Sequence, residues 1–484
     1  MPASPSSTPL ERELYGLCSN QALLIEAQQA HIEELRARIL KLEAQVRGNS
    51  KNSSRPPSSD GLAKPRTKSL RKKTMRPAGG QPGHEGSTLR QVENPDELVV
   101  HRPVECAGCG HRFGSDTQAV SRQHRQVFEL PPIRAWVVGH DLLSFECGCG
   151  VITPAPTPVG VTSPVQYGPR LRAAVLYLYQ NQFCAKARTA KTCSDLFGVP
   201  ISSGSVANFQ GIADGRLDRF MGLVKDQARR AGVLGCDETG MRVAGGNTWL
   251  HVARSELFTL LQVHHKRGVA AMRDNGVLED YRGVLIRDAL ASYDTIAPRA
   301  RHQLCGAHLA RELVAVSEFL VNHPEYAGPC GWDWGGQVAY GLWEIKRACD
   351  QAVDGLCPPG VLAENRALMV SAGLIAARSG GCSPGVLGKK HRALARRVAT
   401  RADDYLRFAT TPGVGFDNNG SERDLRMVKL RMKVSGGLRT MDGANRFARL
   451  RSYLSTASKN QVNAYDALLG VFTGNTWLPA KQTT

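Results

Sequence analysis

Near the N-terminus, Ile25, Ile32, Ile39 and Val46 recur every seven residues, interleaved with Gln28, Leu35 and Leu42. This is the a/d pattern of a heptad repeat. β-Branched residues at a and mostly Leu at d favour parallel coiled-coil dimers. Glu26, Glu33, Glu34, Arg36 and Lys41 fill the outer faces. The pattern predicts an oligomerisation helix over residues 1–47, although one amphipathic helix folded onto its own protein carries the same stripe. After Val46 the apolar positions stop. Ser, Pro, Gly and nine Lys or Arg residues between Lys51 and Arg76 leave almost nothing to bury. Residues 48–90 therefore read as a basic disordered linker.

From Tyr167 to about Arg230 the period is helical. TAKTCSDLFGVPISSGSVANFQGIADGRL resembles a helix–turn–helix, with Gly198-Val199-Pro200 as the turn and Ser202 or Ser203 capping the second helix. Both DNA recognition and plain helical packing fit residues 156–230.

At Gly232 the period changes to that of strands. AGVLGCDETGMRV reads as a buried strand ending on Asp237, followed by strand-like NTWLHVARS and LFTLLQVHH. A helix over roughly Gly268 to Tyr281 leads to the strand GVLIRDAL, carrying Asp288, then to HQLC and a helix from Ala307. Three strands in a meander, then helix, strand, helix, strand, helix, is the order of a ribonuclease-H-like α/β fold. Its first and fourth strands lie side by side. That fold is expected over residues 231–484, with a mostly helical insertion at about 318–411.

Composition adds a partner. Lys plus Arg number 62 against 43 Asp plus Glu, a formal charge of +19 over 484 residues. Such an excess is the footprint of a polyanion, nucleic acid before a membrane surface. No long uninterrupted apolar run or signal-peptide pattern is evident, so the expectation is no membrane contact and a cytoplasmic, nucleoid-associated protein. In the linker, Arg71, Lys72 and Lys73 are candidates for DNA-backbone contact.

The candidate chemistry is acidic. Asp237 and Asp288, on neighbouring strands, can hold two divalent metals roughly 3.5–4 Å apart if a third acid joins them. Mg2+, or Mn2+, suits carboxylates of this kind. The third acid is Glu422, in FDNNGSERDLRMVKLRMK, among Arg423, Arg426, Lys429, Arg431 and Lys433. Asn419 and Glu422 also read as a capping box at a helix start, with Leu425, Val428 and Met432 on the packed face. Glu238 and Asp294 are the competing acids.

The thirteen cysteines are an odd number scattered through a large chain, which suits reduced thiols. CAGC at Cys106–Cys109 and CGC at Cys147–Cys149 have tighter spacing. Four thiolates in two pairs can close a structural Zn2+ site within a module at 91–155, leaving no open position for catalysis.

The chain resembles the IS-sixty-six family of bacterial insertion-sequence transposases over nearly its whole length. SKNSSRPPSSD, GGQPGHEG, the cysteine pairs, RQVFELPP, YGPRLRA, CDETGMRV and DNNGSERDLR with SGGLRT carry the resemblance. It implies a DDE transposase with an N-terminal zipper, a zinc module and a ribonuclease-H-like core, its acids being Asp237, Asp288 and Glu422. CGAH at Cys305–His308 looks like the Cys-x-x-His motif of such enzymes, either half a metal site or a packing or DNA-positioning device. One departure is local. The family's DGYxGY context reads DALASY here, keeping Asp288 and Tyr293 but replacing Gly-Tyr by Ala289-Leu290.

The expected protein is thus a multidomain α/β transposase. It would bind double-stranded element ends and target DNA as a homo-oligomer, with accessory proteins a further possibility. It would use two Mg2+ or Mn2+ ions for strand cleavage and strand transfer. A non-catalytic zinc-containing DNA-binding regulator and a nuclease or resolvase on the same fold are the alternatives.

Overall fold

The seven-residue stripe near the N-terminus lies on one helix, α1 (Pro9–Arg47), 39 residues long. The computed structural model describes residues 8–47, 89–326, 332–378 and 385–480. The basic linker up to residue 88, with Arg71, Lys72, Lys73 and the first two motifs of the resemblance, lies outside the described residues. The chain divides into two compact units, one formed by residues 1–63 and 138–484, the other by 64–137.

In the smaller unit, residues 89–137 are held by turns rather than by regular strands. A single bridge joins Glu105 and Arg112 around the CAGC turn. Arg102 ties the next loop by donating to the carbonyls of Gly114, Ser115 and Thr117. The Gln126 side chain both donates to and accepts from the backbone of Val92.

The larger unit is mixed α/β. A short hairpin, β1 (Ser144–Glu146) with β2 (Ile152–Pro154), follows α1. Next come α2 (Pro169–Leu176), a π-helical turn at Tyr177–Asn181, α3 (Lys186–Phe197), α4 (Ser203–Asp214) and α5 (Asp218–Arg230). Gly198 ends α3 with φ 66°, a left-handed conformation that favours glycine. Ser202, one of the two expected caps, accepts from the Ser205 N–H at 2.9 Å. Val206, Phe209 and Ala213 of α4 are buried in the core.

A five-stranded sheet follows, with spatial order β5-β4-β3-β6-β7. β3 (Val233–Val243), β4 (Gly246–Arg254) and β5 (Thr259–His264) are the antiparallel meander; β6 (Val284–Arg287) and β7 (Arg301–Leu304) run parallel to β3. The helices between them are α6 (Val269–Asn275) and α7 (Ser292–Ile296). The predicted strand order is found, with three changes. β3 does not end on Asp237 but runs six residues further, because β4 pairs with it as far as Val243↔Gly246. β6 stops one residue before Asp288. The helix expected to reach Tyr281 ends at Asn275, where Gly276 takes φ 66°.

After β7 come α8 (Gly306–Asn322) and the helical segment α9 (Trp334–Gln351), α10 (Pro359–Arg378), α11 (Gly385–Thr400) and α12 (Ala402–Tyr405). This segment has its own core, in which Leu313, Val316, Trp334, Val338, Leu342, Ile345, Met369 and Val398 are buried. α10 has the length and composition to cross a membrane, which qualifies the expectation of no such apolar run; it packs between α9 and α11. The chain closes with α13 (Asn419–Ser435), α14 (Met441–Lys459) and α15 (Ala464–Thr473). α13 packs on β3 and β4, while α14 packs on β5. Leu425 and Val428 of α13 are buried beside Leu250, Val252 and Leu261, each contributing about 1.5–3 kcal/mol by removal from water.

α1 lies against α11 near its C-terminal end. There Leu40 is buried and Glu43 pairs with His323 at 3.4 Å. Ile25, Ile32, Ile39, Leu35 and Leu42 are all exposed, so among the described residues the heptad face is not the one that packs.

Candidate functional site

β3 and β6 pair in parallel through Val233↔Val284, Leu234↔Leu285 and Gly235↔Ile286. Beyond Gly235, β3 keeps β4 as a partner but has no further pairing with β6. Asp237 and Asp288 follow this point, each four residues on from the Val233–Val284 pair. Open α/β sheets place ligands at the topological switch point, which in this sheet lies between β3 and β6.

Glu422 comes to the same place from far along the chain. The Gly306 N–H donates to the Phe416 carbonyl at 2.9 Å, and the Asn418 N–H donates to Cys305 Sγ at 3.3 Å. The Asn418 side chain, buried, donates to the Cys236 carbonyl at 2.7 Å. Glycine makes this approach possible. A Cβ on Gly235 would stand 2.8 Å from Ser421 Oγ, and one on Gly306 would overlap the Phe416 ring at 2.3 Å. Cys236, next to Asp237, and Cys305, next to β7, are thereby latched to the start of α13, with Glu422 in its first turn.

The expected capping box does not form. Asn419 is already inside the helix, and its N–H donates to Asp417 Oδ1 at 2.9 Å. Freed of that duty, Glu422 faces bases: Arg426 at 3.2 Å, Arg311 at 3.5 Å and His308 at 4.0 Å. The helix N-terminus adds favourable dipole charge.

The acids press on one another. Burial, then Glu238, Asp288 and Glu422, hold the Asp237 carboxyl well above the usual carboxylate range, although it accepts the Glu238 N–H at 2.9 Å. Asp288 Oδ1 accepts the Leu290 N–H at 2.9 Å, and its Oδ2 lies 3.8 Å from Arg267. Among the described residues no group of three His, Cys, Asp or Glu side chains is gathered closely enough to hold a metal ion. Asp288 and Glu422 are drawn toward arginines instead. The donors nonetheless fit a hard divalent cation: carboxylate oxygens, with Asp237 raised by desolvation and then by its acidic neighbours.

The competing acids have partners of their own. Glu238 is fully buried; Oε1 accepts from Arg267 at 2.8 Å and Oε2 accepts from the Tyr293 hydroxyl at 2.7 Å. Asp294 is gripped by Arg287 and by both terminal nitrogens of Arg401. Cys305 is a buried thiol, pushed up to about 11 by desolvation. It acts as the latch described above, whereas His308 turns toward Glu422, 4.0 Å away. Burial, followed by the Arg311 charge, lowers the pKa of His308.

Of the bases around Glu422, Arg423 and Arg426 are exposed. Lys429 is half-buried and interacts electrostatically with Asp237 and Glu422. Arg431 turns inward, contrary to its reading as one of the surrounding bases: it is buried over the Phe447 ring and donates to the Gly436 carbonyl at 2.9 Å. A cavity of about 200 Å3 opens beside Asp288, lined by Leu290, His308, Glu312, Arg397 and Tyr405 among others.

Arg267, Arg311 and the anchoring hydroxyl of Tyr293 complete the constellation, and sequence reasoning gave none of them a role there. Arg311 follows His308 by three residues on α8, a spacing that puts both on one helix face. Arg267 carried no signal, being one base in HHKRG between β5 and α6.

In each cysteine pair by itself, one thiol has its pKa lowered by its own turn. Neighbouring amides and Cys109 lower the pKa of Cys106, and the amide and thiol of Cys149 lower that of Cys147.

The sequence model of a family described as "Transposase IS66 family" matches residues 164–446, which include Asp237, Asp288 and Glu422. A second, described as a family of unknown function, matches residues 6–90. No curated protein gives a significant match.

Proposed function

This chain belongs to the IS66 family of transposases, and on that premise we propose that Asp237, Asp288 and Glu422 form its DDE site for DNA strand cleavage and strand transfer. The observation that carries the reading is that Asp237 and Asp288 follow the β3–β6 pairing at the same register step, with Asp237 raised first by desolvation and Glu238 and then by Asp288 and Glu422. The sheet order, with Asp237 and Asp288 just beyond the point where the parallel pairing of β3 and β6 stops, supports a ribonuclease-H-like core.

Asp237, Asp288 and Glu422 would hold two divalent ions, Mg2+ or Mn2+. The chemistry supplied by such ions is activation of a water or 3′-hydroxyl and stabilisation of the leaving 3′-oxygen. The chain's own residues do the rest. Arg423, Arg426 and Lys429 hold backbone phosphates without reading sequence. Arg311 and His308 restrain the Glu422 carboxylate from the α8 side. Element ends are read elsewhere, by α3 and α4 and the cysteine-containing module, with Arg71, Lys72 and Lys73 adding phosphate contacts. Structural Zn2+ on Cys106, Cys109, Cys147 and Cys149 is part of the same proposal, as is assembly of copies through the exposed heptad face of α1.

Replacing Asp237, Asp288 or Glu422 by Ala is expected to abolish cleavage of a labelled element end while leaving end binding intact. Metal-dependent cleavage retained in all three variants would overturn the assignment. Transfer of the labelled end into target DNA separates a transposase from a nuclease or resolvase; failure of the unmodified protein to cleave points to the DNA-binding regulator.

A further inference from the structure

Arg267 sits between β5 and α6, and its guanidinium is fixed from three sides. Its Nε and one terminal nitrogen both approach Glu238 Oε1 at 2.8 Å. That same terminal nitrogen lies 3.8 Å from Asp288 Oδ2. The Trp249 ring lies beneath it, 5.0 Å from the guanidinium carbon. Glu238 is itself held by Tyr293. The Arg267 side chain is nevertheless 43% exposed. A guanidinium carries five N–H donors, so anchoring to one carboxylate oxygen leaves donors facing Asp288 and the open side.

We propose that Arg267 is a positioning residue with two uses: it competes with divalent cations for Asp288, and it presents its remaining N–H groups to a DNA phosphate once a cation takes that carboxylate. The proposal rests on the reading of Asp288 as a metal ligand. The 3.8 Å contact is too long for a committed hydrogen bond, whereas the Glu238 contacts are short. Arg267 can therefore release Asp288 without releasing its anchor. Its stacking on Trp249 and its fork on Glu238 already restrict its rotamers, which lowers the entropy cost of gripping a phosphate. A purely structural ion pair with Glu238 would need neither the exposed flank nor the approach to Asp288.

The test measures Mn2+ binding to the full-length protein without DNA, by the spin-resonance signal of the free ion. The unmodified protein is compared with Asp288→Asn, Arg267→Gln and the double variant Glu238→Gln/Arg267→Gln. The double variant keeps a neutral partner for Tyr293 and removes one charge of each sign, so it isolates loss of the Arg267–Asp288 contact and should tighten Mn2+ binding less than Arg267→Gln does. In Arg267→Gln, removing a charge this close, at an effective dielectric near that of water for so exposed a side chain, should tighten Mn2+ binding by about three- to tenfold. In the presence of DNA, Arg267→Gln should reduce the salt slope of binding by about one phosphate contact. Arg267→Lys should not restore that slope, lacking the fork.

Equal or weaker Mn2+ binding in both Arg267 variants overturns the competition. An unchanged salt slope overturns the phosphate grip. Absence of Asp288-dependent Mn2+ binding in the unmodified protein overturns the reading of the acids themselves, and this inference with it.

Discussion

Asp237 and Asp288 stand at the same register step of a parallel strand pair that has already stopped pairing. Two carboxylates are thus directed at one region by backbone geometry, at a cost borne by Asp237, whose ionisation burial and its neighbours oppose. Relieving that opposition should leave stability intact or improve it. Asp288→Asn keeps the acceptor for the Leu290 N–H and removes a charge. It is expected to stabilise the fold by up to about 1 kcal/mol while abolishing cleavage, the usual trade between stability and function at such sites. Denaturant midpoints test this; a loss of more than about 1 kcal/mol would contradict it.

Glu422 and Asp424 are near neighbours on α13 with opposite duties. Asp424 accepts from Thr259 Oγ at 2.9 Å and from Lys459 Nζ at 3.0 Å, with Arg254 at 3.3 Å. Lys459 is pulled down to about 8 by burial despite that partner. Asp424→Asn should therefore cost about 3 kcal/mol by leaving a buried ammonium uncompensated. Glu422→Gln should cost little. Thermal melts of the two variants should separate them, and similar losses would contradict the division of labour.

Acid should weaken the protein through two buried histidines. Desolvation brings both His302 and His391 down to about 4 from an ordinary value of 6.5. The unfolded chain then binds more protons between those values, so stability is fully present above about pH 6.5 and falls as pH drops toward 4. Each group contributes at most about 3 kcal/mol to that fall. His391 packs edge-on against Phe319, so His391→Leu should flatten the slope between pH 6.5 and 4. An unaltered slope would show that His391 does not titrate there.

The exposed stripe on α1 makes a separate forecast. Ile32→Asp with Ile39→Asp puts charge on the a positions while leaving Leu40, which is buried on the inner side, untouched. Light scattering after size exclusion should show smaller assemblies than the unmodified chain gives, because charge at a positions is poorly tolerated in coiled coils. Persistence of the original mass would assign assembly to another surface.

Much of this architecture could be read locally. The meander of β3, β4 and β5 followed from strand-like runs, α13 from Leu425 and Val428 at helical spacing, and the α3–α4 turn from Gly198. These signals repeat within a few residues. What escaped depends on contacts between distant segments. The length of β3 is set by β4, not by Asp237. Asn419 loses its expected capping role because Asp417 occupies its N–H, while Asn418 is drawn to Cys236. Arg431 carries a charge that composition counts as surface, yet Phe447 and Gly436 take it inside. Arg267 gains its place only after Glu238, Trp249 and Asp288 have been brought together.

The bond from Gly306 to Phe416 and the latch from Cys305 to Asn418 have a consequence for how such a chain can change. More than a hundred residues separate these partners, but the returning strand of chain is registered directly onto the sheet edge. The intervening helices form an excursion that leaves and rejoins at one seam. Lengthening or trimming it need not alter the reach of Glu422. Distance along the chain between the second and third acids is therefore free to drift, while the two glycines at the seam, Gly235 and Gly306, are not free to gain a methyl group.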